Sequence, residues 1–191
     1  MKLLHIDSSA LGAHSVSRDL SAAIVAVWKR REPGLKVRYR DLAAEPLPHW
    51  MPGADPADVA ARDGGNLLDE FLAADVVVIG APMYNFGIPS QLKAWIDRIV
   101  IAGKTFRYGA TSVEGLAGGR KIIIASARGG SYGADSGRAD FDFQEAYLRH
   151  VFGFIGITDI EFVRAEGLNI SPEQRDQAIK LAIGETVRLA A

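Results

Sequence analysis

Serine hydroxyls, a proline-framed aromatic loop and a Gly-Gly turn are the residues here whose types and spacing suit ligand chemistry. Ser9, Ser15 and Ser17 fall in Ser8-Ser9-Ala10-Leu11-Gly12-Ala13-His14-Ser15-Val16-Ser17, which runs directly into a helical pattern. Hydroxyls there can donate to phosphate oxygens. The free N–H groups and positive dipole end of the helix favour the same anion. No lysine or arginine is required. The plainer alternative is that Ser17 only caps the helix and the other serines are solvated. A second loop, Ala81-Pro82-Met83-Tyr84-Asn85-Phe86-Gly87-Ile88-Pro89-Ser90, has φ fixed by proline near both ends. Two aromatics, an amide and a thioether could line a flat heteroaromatic ring, or simply pack on a neighbour. The third, Ser126-Ala127-Arg128-Gly129-Gly130-Ser131-Tyr132-Gly133, has a glycine pair that would let backbone approach a ligand closely. It also spells G-x-S-x-G from Gly129 to Gly133, the nucleophile-elbow pattern of serine hydrolases, with His150 the only histidine downstream.

Several chemistries are excluded. The sequence has neither G-x-x-x-x-G-K-[ST] nor G-x-G-x-x-G. A receiver-like site fails, because only Asp7 is available and Met83 stands after the third strand. With no cysteine there is no disulfide, thiolate site or cysteine nucleophile. His5, His14, His49 and His150 lack metal-ligand spacing. Asp140 and Asp142 read as helix-dipole partners rather than ligands. A net charge of −1 over 191 residues lacks the excess positive charge on which nucleic-acid affinity rests. No run of 18 apolar residues exists to span a membrane, and the apolar stretch in Met1–Asp7 is too short for a signal peptide. The expectation is a cytoplasmic protein.

The elements that position these loops are legible from periodicity. Leu3–Asp7, Asp75–Ala81 and Lys121–Ala127 are short apolar runs, the last two β-branched as in strands covered on both faces. Leu35–Asp41 and Thr158–Ala165 alternate, as edge strands do. Helical spacing links Leu20, Ala23, Ile24, Val27 and Trp28, then Leu92, Trp95, Ile96, Ile99 and Val100, then Phe143, Tyr147, Leu148, Val151 and Ile155. Ser171-Pro172-Glu173-Gln174 starts a last helix, expected to bury Ile179, Ile183 and Val187. Leu42–Ala74 is broken by Pro46, Pro48, Pro52, Pro56 and Gly64-Gly65, with a helix plausible over Asn66–Ala73. Strands alternating with helices give one doubly wound, five-stranded parallel α/β domain over residues 1–191. Ligands bind beyond the carboxyl ends of such strands, so the three loops lie where a site belongs.

Taken together, the loops resemble the FMN-dependent NADH-azoreductases, also described as NADH:quinone oxidoreductases. The resemblance spans essentially the whole chain. It rests on Ser9-x5-Ser15-x-Ser17, Met83-Tyr84-Asn85-Phe86-x-Ile88-Pro89, Gly103-Lys104-Thr105-Phe106-Arg107-Tyr108, Arg128-Gly129-Gly130 and Gly153-Phe154-Ile155-Gly156. It implies a flavodoxin-like sheet of order 2-1-3-4-5 and a bound FMN. Ser9, Ser15, Val16 and Ser17 would hold the phosphate. Met83, Tyr84, Asn85 and Phe86 would embrace the isoalloxazine ring with Ala127, Arg128, Gly129 and Gly130. Asn85, Phe106, Tyr108 and Phe152 would stand on the substrate side, at the interface of a homodimer. NADH or NADPH would reduce the flavin and a quinone or azo compound would then take the same place, a ping-pong scheme. The flavin carries that chemistry, so no catalytic side chain is expected. Ala127 departs from the serine frequent before Arg-Gly-Gly, which leaves binding intact if backbone groups carry it. Leu42–Ala74 matches least. A flavodoxin-type electron carrier is the alternative from another class, but such carriers are strongly acidic and this chain is not.

Overall fold

Alternation of side chains along the central strands sets the layers. In β3 (Val76–Pro82), Val77 and Ile79 point to one side and Val76 and Val78 to the other, all buried. A strand apolar on both faces must be covered on both. The computed structural model describes residues 1–51 and 67–188. Within them β1 (Lys2–Asp7), β2 (Lys36–Asp41), β3, β6 (Lys121–Ala127) and β7 (Asp159–Ala165) form a parallel sheet in the order β2-β1-β3-β6-β7. Counting only these five strands, that is the expected order.

Helices α1 (Val16–Arg31) and α5 (Pro172–Thr186) cover one face, where Leu20, Ile24 and Ala182 meet Val78, Ile123 and Val163. Helices α2 (Leu67–Ala73), α3 (Ser90–Ile99) and α4 (Phe143–Phe154) cover the other, around Phe71, Trp95, Leu148 and Phe152. The helix expected over Asn66–Ala73 corresponds to α2. Pro52, Pro56 and Gly64-Gly65 lie outside the described residues. A short antiparallel hairpin, β4 (Phe106–Tyr108) with β5 (Val113–Gly115), was not signalled by periodicity, because three-residue strands are too short to show one.

The buried face of α5 departs from expectation. Ala182 and Thr186 are buried and Ala178 and Ile179 partly so, while Ile183 and Val187 are exposed with Leu181. Small residues let this helix lie close to β7 and α1, and the larger aliphatics turn outward. On α1 and α3 the phases hold, with Leu20, Ile24 and Val27 buried on the first and Leu92, Trp95, Ile96 and Ile99 on the second; on α4 Leu148 is buried but Phe143 is exposed.

The start of α1 rests against β3 at Gly80. A Cβ there would overlap Asp7 Oδ1 and lie 3.1 Å from the Ser17 carbonyl oxygen, which is backbone and cannot swing aside. Gly80→Ala is therefore expected to cost about 1–3 kcal/mol of stability, the usual range for overpacking. A urea midpoint equal to that of the parent chain would refute this.

Candidate functional site

The carboxyl ends of β1, β3 and β6 are neighbours, and the chain reverses its direction of winding between β1 and β3. Each strand end is tied to the next. Ser8 donates from its N–H and its hydroxyl to the Gly80 carbonyl, at 3.2 and 2.7 Å. Met83 N–H donates to the Ala127 carbonyl at 2.9 Å.

After β1, a 3-10 turn over Gly12–His14 delivers the chain to α1. Ser15 is the N-cap, its Oγ accepting from Arg18 N–H at 3.4 Å and lying 3.0 Å from Ser17 Oγ. The capping role considered for Ser17 thus belongs to Ser15, which frees the Ser17 hydroxyl inside the first turn. Ser9, Ser15, Val16 and Ser17 are all buried. Two hydroxyls therefore sit beside first-turn N–H groups that a helix leaves unpaired. Arg18 is already engaged. It donates to the Ser9 carbonyl at 2.8 Å and to both Asp41 carboxylate oxygens at 2.5 and 2.7 Å. That hydrogen bond, with the N–H groups of Ala43 and Ala44, holds the Asp41 carboxyl below its ordinary range. Behind it Ser21 Oγ and Tyr39 OH donate to Asp7 at 2.7 and 3.1 Å. Burial and the Asp7 charge push the Tyr39 hydroxyl up to about 12.

The loop after β3 closes on itself. Tyr84 and Gly87 exchange N–H···O=C bonds of 3.0 Å, with Asn85 at φ 49° and Phe86 at φ 70°. Asparagine tolerates the left-handed region; a phenylalanine there is strained. Tyr84 OH accepts from Ala10 N–H at 3.1 Å and lies 3.3 Å from Ser9 Oγ, which joins this loop to the first.

In the loop after β6 the carbonyls of Arg128, Gly129 and Gly130 accept from the N–H groups of Leu168, Asn169 and Gly167 at 2.9–3.1 Å. A Cβ on Gly129 would come within 2.6 Å of Asn169 Nδ2, and one on Gly130 within 3.3 Å of the Tyr132 ring. The glycine pair thus answers packing within the protein. With the carbonyls engaged, the Gly129 and Gly130 N–H groups are what this loop offers a ligand.

Arg128 does not line that surface. Its side chain is 1% exposed and turned into the protein. Its guanidinium pairs with Asp142 at 2.9 Å, Glu166 at 3.1 Å and Glu145, and Nε donates to Ser126 Oγ at 2.9 Å. Ser126 in turn donates to Gln144, whose amide donates to the Ala81 carbonyl at 3.0 Å. Arg128 therefore positions the loops from beneath, and its backbone is engaged as well, its N–H with the Ala165 carbonyl and its carbonyl with the Leu168 N–H. Asp142 also caps α4, accepting from Glu145 N–H at 2.9 Å. Sequence reasoning missed Arg18, Asp41, Gln144 and Glu166. Their signal was position: each lies on or within four residues of a strand's carboxyl end or at a helix start that meets it.

The substrate-side assignments differ in outcome, and Phe106 is buried in the core. Phe152 is buried in the core with Leu148 and Ile155, because its phase on α4 points at the sheet; it offers no surface to a substrate. Tyr108 is 75% exposed, its ring 5.4 Å from that of Phe106. Asn85 is exposed in the strained turn. The hydrolase reading fails. The residues after Ser131 enter 3-10 turns rather than a helix, and His150 is exposed on α4 with no bond to Ser131 among the described residues. Among the described residues no His, Asp and Glu cluster could hold a metal, and no helix is long and apolar enough to cross a membrane.

Comparison with known proteins agrees with this geometry. The model of a family described as having a flavodoxin-like fold matches residues 1–189. The FMN-dependent NADH:quinone oxidoreductase of Methylocella silvestris is 58% identical, each chain covered in full. The chain belongs to this family. Among solved structures, azoreductase AzrA is 32% identical with a TM-score of 0.88, over 100% of this chain and 99% of its own. An FMN-dependent NADH-azoreductase from Bacillus anthracis, solved in complex with FMN, is 28% identical with a TM-score of 0.84 over 100% and 99% of the two chains.

Removing the buried cation leaves carboxylates unmatched. Arg128→Met should cost about 3–5 kcal/mol, as breaking one side of a buried pair does; an unshifted denaturant midpoint would exclude the positioning role. Asp41 makes a smaller, pH-dependent contribution. Its carboxyl is lowered in the folded protein, so the stabilisation is complete above the ordinary aspartate value of about 3.9 and disappears as pH falls through the lower folded value. Asp41→Asn should accordingly flatten the acid limb of the melting temperature against pH, and an identical limb in both proteins would contradict the assignment.

Proposed function

We propose that the protein is an FMN-dependent oxidoreductase that transfers two electrons from NADH or NADPH to quinones and azo compounds. The observation that carries this is the pairing of the Ser15 and Ser17 hydroxyls at the start of α1, at the end of a loop whose Ser9 and Ala10 are bonded to Tyr84 of the loop after β3. A mononucleotide with a charged tail and a flat head suits that sequence of donors. The fit is chemical: neutral hydroxyls and first-turn N–H groups for a phosphate, and backbone N–H groups with apolar side chains for a heteroaromatic edge and face. When bound, FMN supplies the redox chemistry.

Ser9, Ser15 and Ser17 hold the phosphate. The Gly129 and Gly130 N–H groups donate to the polar edge of the ring and favour negative charge there, by the electrostatic logic of an oxyanion hole. Met83, Tyr84, Asn85 and Phe86 would position the ring, and Asn85 could donate to or accept from a second molecule placed beside it. Donor and acceptor would bind in turn at one shared place, a ping-pong order. Two copies form a homodimer in this reading, with Tyr108 an exposed aromatic available to the partner or the substrate.

Ser15→Ala with Ser17→Ala should weaken FMN binding tenfold or more, at about 0.5–1.5 kcal/mol per neutral bond and more to a charged phosphate. Titration of the apoprotein by flavin fluorescence measures this, and unchanged affinity would remove the phosphate assignment. Initial rates with NADH and a quinone should give parallel double-reciprocal lines. Intersecting lines would reject the ping-pong order, and absence of turnover in the FMN-loaded protein would reject the enzyme.

A further inference from the structure

Between β6 and α4 the chain makes a strap, residues 131–142, containing two short 3-10 turns at Ala134–Ser136 and Ala139–Phe141. Arg128 holds both of its ends. At one, Glu166 pairs with Arg128 and accepts from Tyr132 N–H at 3.0 Å; at the other, Arg128 pairs with Asp142. From this fixed base the strap's aromatic residues return to the loop after β3. Tyr132 meets Phe86 edge-on, ring centres 6.3 Å apart and planes at 87°, and Phe141 meets it at 5.8 Å and 38°.

These rings are not core. Phe86 is 46% exposed and Phe141 51%. Phe86 is also held at a φ of 70°, where glycine would sit without strain and an aromatic residue is disfavoured. Strain retained for a half-exposed ring points to a use outside folding. The rings stand beside the turn that carries Asn85, so they wall the mouth between the second and third loops. A wall of this kind discriminates by shape. The second ring of a fused-ring quinone carries no oxygen to hydrate and gains by covering aromatic faces. A one-ring quinone bears carbonyls on opposite edges and gains less.

We propose that Phe141, supported by Phe86 and Tyr132, is a specificity-determining residue that favours planar fused-ring acceptors over single-ring ones. The proposal rests on the reading of the loops as a flavin cradle with a quinone acceptor. Its test needs no turnover: each quinone is titrated into the FMN-loaded protein without NADH, and its Kd is read from the perturbation of the flavin absorbance. Phe141→Ala should weaken a sulfonated naphthoquinone about tenfold, and benzoquinone less than about threefold, in line with loss of one aromatic contact and its covered area. FMN affinity, read by fluorescence, should stay within about twofold, and Phe141→Tyr should restore the naphthoquinone. Equal weakening of both quinones, no weakening of either, or a tenfold loss of FMN affinity would overturn the proposal. So would failure of the parent protein to bind either quinone. A parent that binds quinones with the expected preference yet never oxidises NADH would instead defeat the enzymatic reading and leave this inference standing.

Discussion

A buried guanidinium has to be matched, and the matching of Arg128 organises the carboxyl edge of this sheet. Asp142, Glu145 and Glu166 come from three different places in the chain: the cap of α4, its first turn and the loop after β7. Arg164 and Arg149 both pair with Glu145, giving the cluster three guanidinium groups and three carboxylates. A cluster of this kind is a poor source of net stability, since desolvation offsets much of the attraction. What it confers is placement. The Gly129-Gly130 backbone, the strap and the start of α4 can take few other relative positions without stranding a charge.

The first loop is fixed by a separate and more exposed device. Arg18 bridges the Ser9 carbonyl and Asp41, and so ties the serine segment to the neighbouring edge strand. Both devices use arginine because a planar fork can satisfy several oxygens at once. The Arg128 side chain is thereby turned away from a ligand, and Arg18 keeps only its buried Nε without a partner.

The sheet and most helices were legible because burial on two faces writes itself as unbroken apolar runs, as in Val76–Ile79 and Ile122–Ile124. The three loops were legible because strand ends locate them and their residue types are unusual. Side-chain direction was not. Arg128 sits in a loop that reads as ligand-facing, and only the carboxylates brought from α4 and beyond β7 turn it inward. Ile183 was misplaced for a related reason: a helical repeat fixes which residues share a face, but not which stripe meets the sheet when small residues such as Ala178 and Ala182 permit closer contact; Phe152, put on the substrate side by resemblance, is instead in the core with Leu148. Phe141, in a strap without periodicity, left no pattern to read.

The neutrality of the serine cradle has a bearing on the milieu in which the protein can work. An anion met by hydroxyls and peptide dipoles, with the nearest guanidinium already occupied by Asp41, gains little from long-range attraction and loses little when dissolved ions screen it. Retention of such a ligand should vary only weakly with ionic strength. The same property gives polyphosphates and other highly charged competitors no special advantage at that helix end.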